Sequence, residues 1–217
     1  MESKKMDIRL LAQMALLTAI MLVMAFTPLG YIPLGFMNAT TMHIPVIIGA
    51  CLLGPKMGGV LGGLFGLTSV FKATIQPNIT SFVFTPFYSL NPQFHGSGWS
   101  LVVAILPRVL IGVVAGLVFQ AIARGLKKQS LALVVAGFVG SLTNTIGVMG
   151  LIYLLFGAQY ASASGNDPAL LLGIILGVVG VNGVPEALIA AVLTLAIGKV
   201  LLRAFGKKPA RVQTETV

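Results

Sequence analysis

The feature of this sequence that most clearly suggests chemistry is an arginine inside an apolar segment. Arg108 lies about a third of the way into the run 101–120, which is apolar and long enough to cross a lipid bilayer. A charge at that depth costs at least ~2.5–3.5 kcal/mol, so it normally faces a partner or a water-filled cavity. The arginine is therefore either held by a structural partner or positioned to bind an anion.

Other polar and aromatic residues lie in or beside apolar segments and are candidates to surround a ligand with it. Asn144 is expected near the middle of its helix, whereas His43 and Glu186 are expected at the starts of theirs. The predicted substrate-binding residues are Arg108, Asn144, Glu186, His43, Asn182, Ser81, Phe84 and Lys72.

Each candidate also has a purely structural interpretation. Arg108 and Glu186 could pair with each other, which would offset a desolvation cost that neither charge bears easily alone. Asn144 could hydrogen-bond a neighbouring helix, and His43 could be a satisfied residue at the membrane interface. The phenylalanines of the segment 74–100 could serve packing rather than ligand stacking.

Catalytic interpretations find little support. The sequence has no HExxH zinc motif and no Walker-type nucleotide motif. Asp167 and Glu186 are its only acids outside the terminal segments, so a carboxylate pair for hydrolysis is not expected. The single cysteine, Cys51, excludes an internal disulfide. We therefore expect no enzyme activity, no metal and no cofactor in this chain, and any ATP hydrolysis must come from another subunit.

Composition places the chain in the membrane. Hydrophobic residues make up 57% of the sequence and charged residues 9%, too few charges to cover a water-facing surface. The sequence predicts an all-α membrane protein with one transmembrane domain, 1–217, and a long loop between helices 3 and 4. The six predicted spans are 8–28, 40–53, 56–74, 101–123, 130–156 and 184–203.

The net charge of +9 indicates orientation rather than a nucleic-acid partner. Twelve lysines and arginines fall near the two termini and the turns at 54–56 and 124–129, whereas Lys72 alone falls on the opposite side. Cytoplasmic loops carry such an excess, so both termini are predicted to be cytoplasmic. The polar candidates then lie in the outer half, which predicts a blind cavity open to the exterior and covered by the loop 74–100.

Small residues at intervals of four predict where helices approach closely. Gly58, Gly62 and Gly66 form one stripe on the third predicted span, with a second row beside them. Ala15 and Ala19 form such a pair on the first span, which would let another helix approach.

These segments together resemble a known family, the substrate-binding S components of energy-coupling factor (ECF) vitamin transporters. The resemblance covers nearly the whole chain and includes the six spans and the alanine pair. The segments that carry it are 106–112 (LPRVLIG), 140–145 (GSLTNT) and 182–186 (NGVPE). Further segments look most like pantothenate-specific S components: 42–50 (MHIPVIIGA), 53–58 (LGPKMG), 65–69 (FGLTS) and 81–87 (SFVFTPF).

The resemblance implies a vitamin-binding subunit in the cell membrane that works with a T component and two ATPase subunits. It implies that Ala15 and Ala19 face the T component, and that the subunit topples in the membrane to deliver its vitamin. Pantothenate is the expected substrate, with Arg108 on its carboxylate. Folate or riboflavin in the same architecture remains the alternative, followed by an intramembrane enzyme or a scaffold.

Overall fold

The computed structural model describes residues 8–33, 38–91 and 93–204, and this part of the chain is predominantly helical. The helices are α1 (Ile8–Phe26), α2 (His43–Leu53), α3 (Pro55–Ile75), α4 (Gly98–Gly125), α5 (Gln129–Ala163), α6 (Leu171–Val178) and α7 (Val184–Ala204). Two short antiparallel hairpins pair β1 (Tyr31–Pro33) with β2 (Asn38–Thr40) and β3 (Ser89–Asn91) with β4 (Phe94–His95).

Several helices are long and apolar enough to cross a membrane, which confirms the predicted all-α membrane fold. Five such segments occur among the described residues: Ile8–Phe26, Pro55–Ile75, Gly98–Gly125, Gln129–Ala163 and Pro168–Ala204. They surround the shorter α2, which has 11 residues. At 1.5 Å per residue α2 spans only about 17 Å, less than the ~30 Å hydrocarbon core.

The short helix α2 forms the centre of the bundle. Every residue of α2 except Leu53 is buried. It packs against α1, α3, α4, α5 and α7. A helix that is apolar on all sides is stable only when other elements enclose it, and the sequence 43–53 meets that description. The five longer segments therefore provide the shell, and α2 provides the core.

The last membrane segment differs from the predicted span 184–203. Gly183 and Pro185 are residues that usually break a helix, yet a π-helical turn, Val179–Gly183, joins α6 to α7 without interruption. The Val184 N–H donates to the Val179 carbonyl, five residues earlier. Because Pro185 lacks an N–H and its ring clashes with the carbonyl four residues back, the wider turn lets the helix continue.

Glycines hold α3 against α4 at the level of Arg108, which confirms the predicted close packing. A Cβ on Gly62 would lie 2.0 Å from the Arg108 carbonyl oxygen, and one on Gly112 would lie 1.9 Å from the Gly58 carbonyl oxygen. The second row faces the same helix less tightly, since a Cβ on Gly63 would meet only Val109 Cγ2, at 3.8 Å. The backbone that carries Arg108 is therefore fixed by direct contact with a glycine.

This contact predicts a stability difference between adjacent glycines. We expect Gly62→Ala to lower the free energy of unfolding by about 3 kcal/mol, the upper end of overpacking costs, because the new methyl group meets backbone rather than a movable side chain. For a protein of this size that corresponds to a melting temperature lower by roughly 6–12 °C. Gly63→Ala is the matched control and should change it little. Thermal unfolding in detergent measures both, and equal melting temperatures would contradict the packing.

Candidate functional site

A cavity opens between the helices and the α3–α4 connection. It encloses about 850 Å³ between protein atoms, including its mouth. Its wall combines residues of α3, α4, α5, the α6–α7 segment, the β1–β2 hairpin and the connection 76–97.

Seven of the eight predicted substrate-binding residues line this one cavity. They come from segments far apart in the sequence and are Lys72, Ser81, Phe84, Arg108, Asn144, Asn182 and Glu186. The eighth, His43, is not part of the cavity wall. It is 2% exposed in the first turn of α2.

Arg108 is enclosed by aromatic rings and its own helix. Its guanidinium carbon lies 5.5 Å from the Phe65 ring centroid and 5.2 Å from the Phe84 ring centroid. Nη1 donates to the Val103 carbonyl at 2.8 Å, whereas the buried Nε has no partner among the described residues. The side chain is 6% exposed. Cation–π contacts and one carbonyl hold the group in place and leave its charge uncompensated.

The predicted alternative, an ion pair between Arg108 and Glu186, is not formed. Both residues line the cavity, but the described chain contains no contact between the guanidinium and a carboxylate at ion-pair distance. Glu186, in the first turn of α7, instead faces the backbone N–H of Thr40 at the end of β2. The two charges therefore stand apart on different walls, and both remain available to a ligand.

Asn144 has unused hydrogen-bonding capacity on α5. It is 6% exposed and lines the cavity, and its buried Oδ1 has no partner in the described structure. Ser141, one turn earlier, likewise has a buried hydroxyl without a partner there. A buried polar group left unpaired costs about 1–3 kcal/mol. A ligand or ordered water at this wall would remove that cost.

Ser81 lines the cavity, but its hydroxyl already has two partners. It donates to Asn78 Oδ1 at 3.0 Å and accepts from the Asn78 N–H at 2.8 Å. Asn78 Oδ1 also accepts from the Thr80 N–H at 3.1 Å. These bonds fold the connection into a tight asparagine turn, a conformation that asparagine side chains favour. The geometry therefore indicates that the Ser81 hydroxyl shapes the α3–α4 connection through its bonds to Asn78.

The connection 76–97 is tied to the helices at both of its ends. Thr85 Oγ1 and Thr74 Oγ1 lie 2.7 Å apart at the end of α3. Ser100 Oγ donates to the Phe82 carbonyl at 2.7 Å and, with Ser97, forms a capping box at the start of α4. Asn78, Thr80, Ser81 and Phe84 then lie over the cavity. We call residues 76–97 the cover.

The aromatic residues around the cover divide into two groups. Phe82 is fully buried, with its ring centroid 6.1 Å from those of both Phe94 and Phe156. Phe87 and Trp99 are 77% and 59% exposed. The first group packs the cover onto α5, whereas the side chains of the second group project from the protein surface.

Tyr31 and Thr40 are cavity residues that sequence reasoning did not single out. Both belong to the β1–β2 hairpin, although Thr40 had been predicted at the start of the span 40–53. The Tyr31 hydroxyl lies 3.2 Å from Ser69 Oγ, and Lys72 Nζ lies 5.9 Å from the Tyr31 ring centroid. The sequence feature that could have identified them as cavity residues is a tyrosine and a threonine next to residues typical of turns.

The arrangement can bind an anion with a polar body but shows no catalytic constellation. Among the residues that the structure places, no group of three or more histidine, cysteine or acidic side chains could hold a metal. Val148, Met149 and Val178 contribute apolar side chains to the same cavity wall. A buried cation, an acceptor carboxylate, amides and an apolar wall suit a small molecule with one acidic end.

Comparison with known proteins shows the family of this chain. Residues 9–198 match the protein family described as "ECF transporter, substrate-specific component". The chain is 37% identical over 166 residues to the "Pantothenic acid transporter PanT" of Lactococcus lactis subsp. cremoris, covering 76% of this chain and 78% of the relative. It is 33% identical over 193 residues to the "Pantothenate transporter PanT" of Leuconostoc mesenteroides subsp. mesenteroides, covering 85% and 87%.

These relatives are transporter components and not enzymes. The match spans nearly all of the described helices, including those that carry Arg108, Asn144 and Glu186. The chain therefore belongs to the family of substrate-specific components of ECF transporters.

Proposed function

We propose that this protein captures pantothenate in the cavity beneath the cover and serves as the substrate-binding subunit of an ATP-driven uptake complex. The observation that carries the proposal is Arg108, a buried cation that lines the cavity and contacts no carboxylate among the described residues. A buried charge without a counter-ion is costly, so an anionic ligand gains the most from binding there.

The chemistry of pantothenate fits the groups around the cavity. The molecule has one carboxylate, a central amide, two hydroxyls and a pair of methyl groups. Arg108 takes the carboxylate, and Asn144, Asn182 and Glu186 offer partners to the amide and hydroxyls. The methyl groups then face the apolar wall. The names of the two relatives, which are pantothenate transporters, support the same ligand.

The orientation in the membrane follows from the basic residues. The turn between α4 and α5 carries Arg124, Lys127 and Lys128, all exposed. Lysine and arginine concentrate in cytoplasmic loops, so this turn and both termini belong on the cytoplasmic side. The cover and the cavity mouth then face the exterior. The cavity is blind because its polar residues belong to the outer half of the bundle.

The chain needs partners to use ATP. Its family associates with an ECF module, and we assign that module a T component and two ATPase subunits. Ala15 and Ala19 on α1 are exposed, as a surface reserved for a partner helix would be. The chain itself carries no cofactor in this scheme, since ATP is hydrolysed by the partner subunits.

The alternative vitamins differ in charge, which makes them separable by titration. Riboflavin has no carboxylate to satisfy Arg108, and folate has two. Calorimetric titration of the detergent-purified protein with pantothenate, folate and riboflavin tests the proposal. We expect saturable binding of pantothenate and none of the other two at the same concentration. Tight binding of folate or riboflavin, with no binding of pantothenate, would show that the substrate is that other vitamin. Binding of none of the three would favour a scaffold.

A further inference from the structure

We infer that Glu186 is a positioning residue, which holds the β1–β2 hairpin so that Tyr31 stands on the cavity wall near Arg108. The inference rests on the proposed function for the identity of the ligand, and it adds a second role for this carboxylate. It follows from a continuous set of contacts that runs from α7 through the hairpin to α3 and α4.

The hairpin presents the Thr40 N–H to its surroundings and not to its own partner strand. The Thr41 N–H donates to the Gly30 carbonyl at 3.2 Å, which makes these two residues a hydrogen-bonded pair. Tyr31 and Thr40, the next pair along, are a non-hydrogen-bonded pair, because the two kinds alternate in an antiparallel ladder. The N–H of Thr40 therefore points away from β1 and needs an acceptor from another element.

Glu186 supplies that acceptor from the first turn of α7. Its carboxylate faces the Thr40 N–H, and both residues line the cavity. Four residues further along each segment, Ile44 and Ala190 belong to one buried apolar cluster, so α7 lies alongside the chain that leaves the hairpin. A carboxylate has two oxygens, so one can hold the hairpin while the other is left for the ligand.

Tyr31, opposite Thr40 in the hairpin, extends this anchorage toward the cation of the site. Its hydroxyl lies 3.2 Å from Ser69 Oγ on α3, and its ring centroid lies 6.5 Å from that of Phe65. The Phe65 ring centroid in turn lies 5.5 Å from the Arg108 guanidinium carbon. The position of the hairpin therefore determines the surroundings of the group that we assign to the ligand carboxylate.

The hairpin depends on such anchors because it is small. Only three residue pairs join β1 to β2, and a two-stranded hairpin is marginally stable by itself. A hydrogen bond from an N–H to a carboxylate is roughly twice as strong as one between neutral groups. Removing the Glu186 carboxylate is therefore expected to displace Tyr31. Glutamine should keep Tyr31 in place, because its side-chain carbonyl still accepts from an N–H.

The first test observes the hairpin without ligand, by fluorine NMR of the purified protein labelled with 3-fluorotyrosine. The chain has four tyrosines, and the Tyr31→Phe variant identifies the Tyr31 signal. In Glu186→Ala we expect this signal to shift or broaden, while the signal of Tyr153 on α5 stays in place. In Glu186→Gln we expect both signals to stay in place. An unchanged Tyr31 signal in Glu186→Ala would overturn the inference.

The second test measures whether Glu186 affects binding through Tyr31. We expect Glu186→Ala and Tyr31→Ala each to weaken pantothenate binding at least tenfold. The double variant should bind no more than threefold more weakly than the weaker single variant. Two independent contacts with the ligand would instead multiply the two losses, and that result would contradict the positioning role. The matched control is Asp167→Asn, an exposed acid outside the cavity wall, which should bind normally.

The remaining outcomes are also decisive. Binding by Glu186→Gln as weak as by Glu186→Ala, with an undisturbed Tyr31 signal, would show that the charge acts on the ligand directly. If thermal unfolding shows that Glu186→Ala has lost its fold, Glu186→Met replaces it, since methionine keeps the length without the carboxylate. Loss of the fold in both would overturn the inference by making Glu186 structural for the whole bundle. Absence of pantothenate binding to the wild type would overturn the proposed function and leave the fluorine measurement to decide this inference.

Discussion

The Arg108→Gln variant is expected to bind pantothenate at least about thirtyfold more weakly than the wild-type protein. Truncating one partner of a buried charged hydrogen bond costs about 2 kcal/mol or more, which corresponds to that factor at 25 °C. Glutamine keeps hydrogen-bonding capacity and most of the length but removes the charge. The loss therefore measures the contribution of the guanidinium to carboxylate binding. Calorimetric titration of the purified subunit gives the dissociation constant.

Two further variants make this result specific. Arg124→Gln removes an exposed arginine at the end of the same helix and should leave binding unchanged. Arg108→Lys keeps the charge but loses the planar, two-pronged geometry and should give an intermediate affinity. If Arg108→Gln bound pantothenate as tightly as the wild type, Arg108 would be structural and the ligand carboxylate would lie elsewhere.

The second large effect concerns coupling to the ATPase partners. We expect Ala15→Trp and Ala19→Trp to reduce pantothenate uptake by cells to the background level while binding to the isolated subunit is retained. Both alanines are exposed on α1, so tryptophan fits the isolated protein. A partner helix that approaches closely over a small-residue pair cannot accommodate an indole. Uptake of labelled pantothenate and binding to the purified subunit are the two measurements.

The control for this prediction lies one residue further along the same helix. Ile20 is 42% exposed and is turned by about 100° from Ala19, away from the alanine pair. Ile20→Trp should therefore transport normally. Loss of binding together with uptake in the alanine variants would show that this face supports the cavity. Normal uptake in both would place the partner surface elsewhere on the molecule.

Some features of this molecule follow from local sequence rules. The contact between Gly62 and Arg108 was predictable as close packing, because glycines four residues apart share one helical face. The grouping of Arg108, Asn144 and Glu186 was predictable from depth, since polar groups in a membrane helix avoid lipid. In each case a single physical constraint was enough for the prediction. It is helical periodicity for the glycines and the exclusion of polar groups from lipid for Arg108, Asn144 and Glu186.

Other features depend on tertiary geometry. The sequence 182–186 contains glycine and proline and indicates a break, yet a π turn absorbs the strain within a continuous helix. Whether Arg108 would pair with Glu186 could not be decided, because the answer depends on rotamers set by Phe65, Phe84 and Val103. The partner of Ser81 depends likewise on how the cover folds around Asn78.

The most direct test of the central claim compares two ligands that differ only at the acidic end. Pantothenol carries a hydroxymethyl group where pantothenate carries its carboxylate. On the wild-type protein, pantothenol should bind at least about thirtyfold more weakly than pantothenate, whereas Arg108→Gln should bind the two within about threefold of each other. If Arg108→Gln discriminated between them as strongly as the wild type does, the claim that Arg108 binds the ligand carboxylate would be wrong.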